Sequence, residues 1–279
     1  MIGLWRLDPA VLAGCALAIA FYAAALRARR RRLGRPGVPA PRWPRGRTAA
    51  LVAALLTTLA ALVSPLEDAA DRAFAPHMLQ HLLLTDVVAP LVLLAAPVPL
   101  LLAALPVRAA RAVVRLLRSR AAHLALFPGV TWTLFVATLW IWHVGPFFEL
   151  ALDDERIHAV EHVVYLGSSL LFWLPVVAIA PTPWTEGPLA YPLRMLYVLL
   201  AMPAEGFLGF AIYGAPRVLY PHYRAAGLAD QHAAGELMWI GSGLAMFVAF
   251  MLVGAEWGAA ERRLGEQENR RLDRAISAR

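Results

Sequence analysis

The feature that most limits what this chain can become is a series of apolar stretches, each near the ~20 residues a helix needs to cross a bilayer. Seven can be marked, at about 9–28, 48–65, 76–103, 128–149, 156–180, 191–212 and 231–255. Within hydrocarbon every backbone N–H and C=O must be satisfied inside the segment, and for stretches of this length a helix does that. The expected fold is therefore all-α, a polytopic membrane protein with seven transmembrane helices. The overall balance agrees. The chain is 60% hydrophobic and 16% charged, with a mean hydropathy of +0.59, whereas soluble domains carry roughly 25% charged residues.

Arginine orients the spans. All 26 basic residues are arginine, and nine of them crowd the link RARRRRLGRPGVPAPRWPRGR between the first two spans. The positive-inside rule assigns that link to the cytoplasm and the N-terminus to the outside. Five more (Arg108, Arg111, Arg115, Arg118 and Arg120) follow span three, Arg194 opens span six, and six lie beyond Trp257. This places 21 of the 26 on the cytoplasmic side, with the C-terminus there too. The outer side keeps Arg6, Arg72, Arg156, Arg217 and Arg224. The first span reads as an anchor rather than a cleavable leader, because its dense positive charge follows it instead of preceding it. Residues 1–255 then form the membrane domain and 256–279 a charged cytoplasmic tail with a short frayed helix.

The same distribution excludes other classes. A net charge of +7 could suit nucleic acid, but the arginines fall in short runs between apolar segments, so no nucleic-acid partner is expected. Arg108, Arg111, Arg115 and Arg118, interleaved with valine and leucine, predict a short amphipathic cytoplasmic helix against the anionic lipid of the inner leaflet. With no lysine there is no Schiff base, which removes a retinal protein. Cys15 is the only cysteine, so no disulfide or thiolate cage can form. Any metal must be held by His, Met, Asp or Glu.

Histidine is distributed the opposite way from arginine. His77 and His81 open span three, His143 lies near the outer end of span four, and His158 and His162 open span five. His222 lies in the following outer loop and His232 opens span seven, leaving His123 alone in the cytoplasm. Two pairs are spaced four apart, where chance predicts about 0.2. Residues four apart share a helix face, so each pair presents two imidazoles one turn apart. Ionisable clusters at membrane depth are commonly functional. Glu161 and Tyr165 share the stripe of His158 and His162, and Glu236 lies one turn beyond His232. A carboxylate so placed can accept from a ligand imidazole and fix its tautomer. Glu205 lies near the outer half of span six. Asp86 is turned away from His81 and reads as an interhelical hydrogen bond.

These donors suit copper, as Cu(I) or Cu(II), with Met78 and Met238 as available thioethers. Zinc is the alternative metal, because HAVEH at 158–162 matches the H-x-x-E-H order of a zinc hydrolase. Haem b between facing histidines is another alternative. The expected ligand set is His77, His81, His143, His158, His162 and His232, with Glu161, Glu236 and Tyr165 behind them.

In chain order, HMLQHLLL, WIWHVGPFFELAL, HAVEHVVYLGSSLLFW and DQHAAGELMW resemble the multi-span bacterial family of CtaG-type cytochrome c oxidase assembly factors. The resemblance runs from the first span through Trp239. It implies a non-enzymatic copper chaperone of respiratory-chain biogenesis in the cell inner membrane, assisting copper delivery to haem–copper oxidase at the outer face. Cytochrome c oxidase subunits would be its partners, with homo-oligomerisation left open. A membrane copper transporter is the alternative from another class.

Overall fold

The computed structural model describes residues 5–34, 40–177 and 189–277, and among these the regular structure is entirely helical. α1 (Pro9–Leu33) starts where Asp8 accepts from Ala10 N at 2.7 Å and Pro9 supplies a preset φ at the first position. It ends after Arg30, Arg31 and Arg32, cations beside the negative end of the helix dipole. α2 (Arg45–Leu62) runs back, and the Ser64 hydroxyl then caps the short α3 (Pro65–Ala70).

The third apolar run, Phe74–Ala104, is helical but interrupted twice. α4 (Phe74–Leu82) widens into a π-helix over Leu83–Val88 before α5 (Ala89–Leu94). Pro90 has no N–H to give, which disturbs the regular ladder at this point. Side chains take up displaced carbonyls: Thr85 Oγ1 donates to His81 O at 2.8 Å and Trp173 Nε1 to Thr85 O at 2.8 Å. The second break falls at Ala96, held at φ 54° and ψ 54° directly before Pro97, where a proline ring disfavours the right-handed helical region. Tyr22 Oη donates to Ala95 O at 3.1 Å there and itself accepts from Trp43 Nε1 at 2.8 Å. α6 (Pro97–Ala104) completes the run.

Two short helices follow, α7 (Val107–Leu117), with no buried residue, and α8 (Arg120–Ala125). The fourth apolar stretch departs from the single helix expected over 128–149. α9 (Pro128–Trp142) stops at His143, and α10 (Gly145–Asp153) leaves it at 75°. Pro146 is the cause, since it cannot donate to Trp142 O and its ring would meet that carbonyl in a continuous helix.

α11 (Glu155–Val177) and α12 (Tyr191–Tyr213) are long and mostly apolar, and the expected end of span five, 178–180, lies outside the described residues. A 3₁₀ turn at Pro221–Ala225 leads to α13 (Gly227–Glu236), a second π-helix at Leu237–Gly241 and α14 (Ser242–Ser277). The tail is thus a continuation of the last long helix through Ser277 rather than a separate short one.

Among the described residues, six helical runs are long and apolar enough to cross a membrane, and the bent α9–α10 pair makes seven if it counts as one span. Their outward faces carry exposed Leu196, Leu199, Phe207, Ile240, Leu244 and Phe247, a surface suited to lipid rather than water. The α12–α13 crossing is close. A Cβ on Gly209 would lie 2.8 Å from Gly235 O, and one on Gly235 only 2.6 Å from Tyr213 N. Glycine at both positions lets the two backbones touch.

Candidate metal centre

α4 and α11 both begin at the same end of the bundle, and their first two turns face each other. One donor atom each from His77, His81, His158 and Glu161 lies within 4.8 Å of the others. The rings pack closely, with centroids 4.4 Å apart for His77–His81, 5.2 Å for His77–His158 and 4.4 Å for His158–His162. His162 also meets His81 at 5.3 Å, so both pairs read from the sequence converge. His77, His81 and Glu161 are buried; His158 and His162 are partly exposed.

Hydrogen-bond accounting shows what these atoms can do. Tyr223 Oη donates to Ala70 O at 2.9 Å and also lies 2.9 Å from His77 Nδ1. Its single proton is committed to the carbonyl, so His77 Nδ1–H is the donor to Tyr223. A neutral His77 then carries a bare lone pair on Nε2, and Nε2 faces no hydrogen-bond partner among the described residues. The same is true of both ring nitrogens of His81, Nε2 of His158 and His162, and both oxygens of Glu161. Leaving a polar atom buried and unpaired costs about 1–3 kcal/mol. Several such atoms converging on one point is the pattern of ligands, and imidazole with carboxylate suits a first-row transition metal.

Glu161 differs from its expected place. It contributes an oxygen to the cluster itself and makes no hydrogen bond to an imidazole among the described residues. Tyr165 is buried, its ring lies 4.5 Å from that of His81, and its hydroxyl is 3.2 Å from His143 Nδ1. His143, at the bend after α9, joins the same end of the bundle through Met78 of α4, with Nε2 to Sδ at 3.4 Å.

His143 supplies no atom to the four-donor group, and two further expected participants are not brought to this end of the α4–α11 seam. The His232 ring stands against Tyr213 at 5.2 Å, and Glu236 is exposed. Their segment acts through its other polar residues. Asp230 accepts from Phe74 N at 2.6 Å and Ala75 N at 3.2 Å, capping α4 just ahead of His77. Gln231 accepts from Leu219 N at 2.7 Å and donates to Arg217 O at 3.1 Å, fastening the outer loop to α13. Both are visible in the DQH triplet, but attention falls first on its histidine. Tyr223 has no such marker, because its tie to His77 spans 146 residues.

Around the cluster the packing is aromatic. Phe74, Phe148 and Tyr220 meet with centroids 4.1–5.4 Å apart, and Tyr220 Oη donates to His143 O at 2.8 Å. Beside the cluster, Gln80 Nε2 donates to Glu67 Oε2 at 2.5 Å and to Ala61 O at 2.8 Å. Burial raises the Glu67 carboxyl above the ordinary range, with Gln80 pulling the other way. His222 is exposed, and its Nε2 lies 3.1 Å from Asp71 O; His123 is exposed on α8.

The family model for cytochrome c oxidase caa3 assembly factors matches residues 20–260. Among curated proteins, uncharacterized proteins of Mycobacterium bovis and Mycobacterium tuberculosis are each 30% identical over 293 residues. Each alignment covers 98% of this chain and 42% of the relative. One from Mycobacterium leprae is 24% identical over 96% of this chain and 42% of its own length. The chain thus spans less than half the length of these relatives. No solved structure matches it.

Proposed function

The chain belongs to the family of cytochrome c oxidase caa3 assembly factors, and from that premise we propose that it binds copper at the α4–α11 cluster and assists its delivery to haem–copper oxidase. The observation that carries this reading is the convergence of His77, His81, His158 and Glu161 donor atoms within 4.8 Å, largely buried and, among the described residues, with several unpartnered atoms. Copper is cargo here, so the protein is a binding and transfer factor rather than an enzyme. His162 adds an imidazole at the rim, and Tyr165 and Tyr223 hold the rings from behind.

The arginine distribution supports an orientation with this end outside the cytoplasmic membrane, where the copper sites of an oxidase subunit would be filled. Zinc fits the same donors, and the H-x-x-E-H order keeps a hydrolase in view. Yet that order gives no role to His77 and His81, whose donors share the group with His158 and Glu161.

Metal analysis of the purified full-length protein, with an optical spectrum to detect haem, tests the reading directly. Copper bound by wild type and lost on His77→Ala, together with loss of active oxidase in cells carrying that variant, is expected. Zinc bound in preference to copper, or a haem spectrum, would overturn it.

A further inference from the structure

A cavity adjoins the histidine cluster, with His81 in its wall, and reaches deeper into the bundle as far as Asp86 of the first π-helix. Its volume is about 30 Å³, and its lining includes Met78, His143, Tyr165, Glu205, Met238 and Asp86. That is room for one or two waters or a single ion, and too little for any organic cofactor. Both π-helices contribute, Asp86 from the first and Met238 from the second. Such bulges inside helices frequently mark functional positions.

The chemistry of the lining is specific. His143 Nδ1 is 2.7 Å from Leu139 O, and a carbonyl can only accept, so the proton of a neutral His143 sits on Nδ1. Nε2 therefore presents a bare lone pair, and what it faces, at 3.4 Å, is the thioether sulfur of Met78. A thioether has no proton to offer. Two electron-pair donors thus confront each other. Metal–nitrogen and metal–sulfur bonds of about 2.0 and 2.3 Å at a near-tetrahedral angle span roughly that separation. Glu205 lines the same cavity; it is buried, and neither of its oxygens has a partner among the described residues.

We propose that this cavity is a second metal site, taking one cuprous ion between Met78 Sδ and His143 Nε2, with Glu205 balancing its charge and Met238 as a further thioether. The donor set selects the ion. Thioether and imidazole favour soft Cu(I), and the carboxyl groups of the lining can offset its positive charge in a dry interior. The proposal shares with the reading above the identity of the metal and a wall at His81, which lines this cavity, but the ligands it names are not those of the outer group.

Anaerobic Cu(I) titration of the purified full chain against a competing chelator, with X-ray absorption of the loaded protein, separates the two. Wild type is expected to hold two equivalents and to show a sulfur neighbour near the roughly 2.3 Å of metal–sulfur bonds. Met78→Leu, which conserves volume, should lose one equivalent, its affinity falling more than about 100-fold. The double substitution His77→Ala with His158→Ala should keep one equivalent and its sulfur neighbour. That last result would support the deep site even if wild type held only this one ion and the outer reading failed. Two equivalents with no sulfur neighbour, or Met78→Leu retaining both, would overturn the deep site and leave the outer one standing. The wild-type spectrum discriminates whether or not any variant folds.

Discussion

Two helix seams at the same end of the bundle are closed by opposite means. Between α12 and α13 the backbones themselves touch, with Gly209 and Gly235 admitting no side chain. Between α4 and α11 the gap is filled by imidazoles and a carboxylate that leave several buried atoms unpartnered among the described residues. The first seam is complete as it stands. The second carries an uncompensated cost that a bound cation would relieve, and it is held in register from outside by Asp230, Tyr223 and the Phe74–Phe148–Tyr220 packing. A fold that gives up stability at one seam must recover it at others, so substitutions at the two should fail differently.

The sharpest way to break the comparison is at the glycine seam. Gly235→Val should abolish the folded protein, because its Cβ would sit 2.6 Å from Tyr213 N and 2.7 Å from Gly209 O, both backbone atoms that cannot give way. Yield of monodisperse protein in mild detergent measures this. A Gly235→Val protein that purifies at wild-type level would mean the crossing is looser than described.

At the histidine seam the effect should appear on metal and not on folding. His81→Leu is expected to weaken copper by more than about 100-fold. The metal-free variant should melt at or above the wild-type temperature, because a buried polar side chain with no partner has been replaced by an apolar one. Added copper should then stabilise wild type, by roughly 2.7 kcal/mol at a hundredfold excess over Kd, and leave the variant unmoved. A metal-free His81→Leu that melts far below wild type would show that the histidines close this seam structurally.

Asp230→Ala lies between the two extremes. It removes a cap worth about 0.5–2 kcal/mol and frees the turn that aims His77. A modest fall in melting temperature should accompany about tenfold weaker copper binding, in the range of residues that orient ligands without touching metal. Wild-type affinity in this variant would mean that Tyr223 alone sets the ring.

What can be read from the chain follows the range of each interaction. Helix faces are local, so four-residue spacing is enough to pair His77 with His81 and His158 with His162. The apolar stretches similarly mark the long helices. The 75° bend is hidden because apolar composition continues through HVGPFFELAL while Pro146 breaks the backbone. His232 is expected among the ligands from its position at the start of a helix, yet rotation about that helix turns it to Tyr213 and gives the capping role to Asp230. The split of His143 from the other imidazoles, and its meeting with Met78, depend on tertiary packing across 65 residues. No spacing rule reaches that far.

A smaller effect tests the edge of the histidine seam. Glu67 is held above the ordinary carboxyl range chiefly by burial, so the fold favours its protonated form. That contribution is present in full below the unfolded value, about 4.5, and is lost as pH rises through the raised one. Glu67→Gln keeps an acceptor for Gln80 and removes the titration. The melting temperature of the variant relative to wild type should therefore rise as pH increases above about 4.5. A difference independent of pH would show that Glu67 ionises as freely folded as unfolded.

The smallest expected effect is the most discriminating for the cluster. His232→Ala removes a ring that touches Tyr213 and lies in the same triplet as the α4 cap, yet it supplies no atom to the four-donor group. His123→Ala removes an exposed ring on α8. Copper stoichiometry, affinity and oxidase activity should stay within about twofold of wild type for both, as surface substitutions away from special features usually change little. The two are not equivalent controls. His123 tests whether any histidine matters, whereas His232 tests whether proximity along the chain to Asp230 is enough. If His232→Ala lost copper while keeping its melting temperature, α13 would have to present that ring to the metal. The site would then extend across the glycine seam, and the division between a seam closed by backbone and a seam closed by ligands would fall.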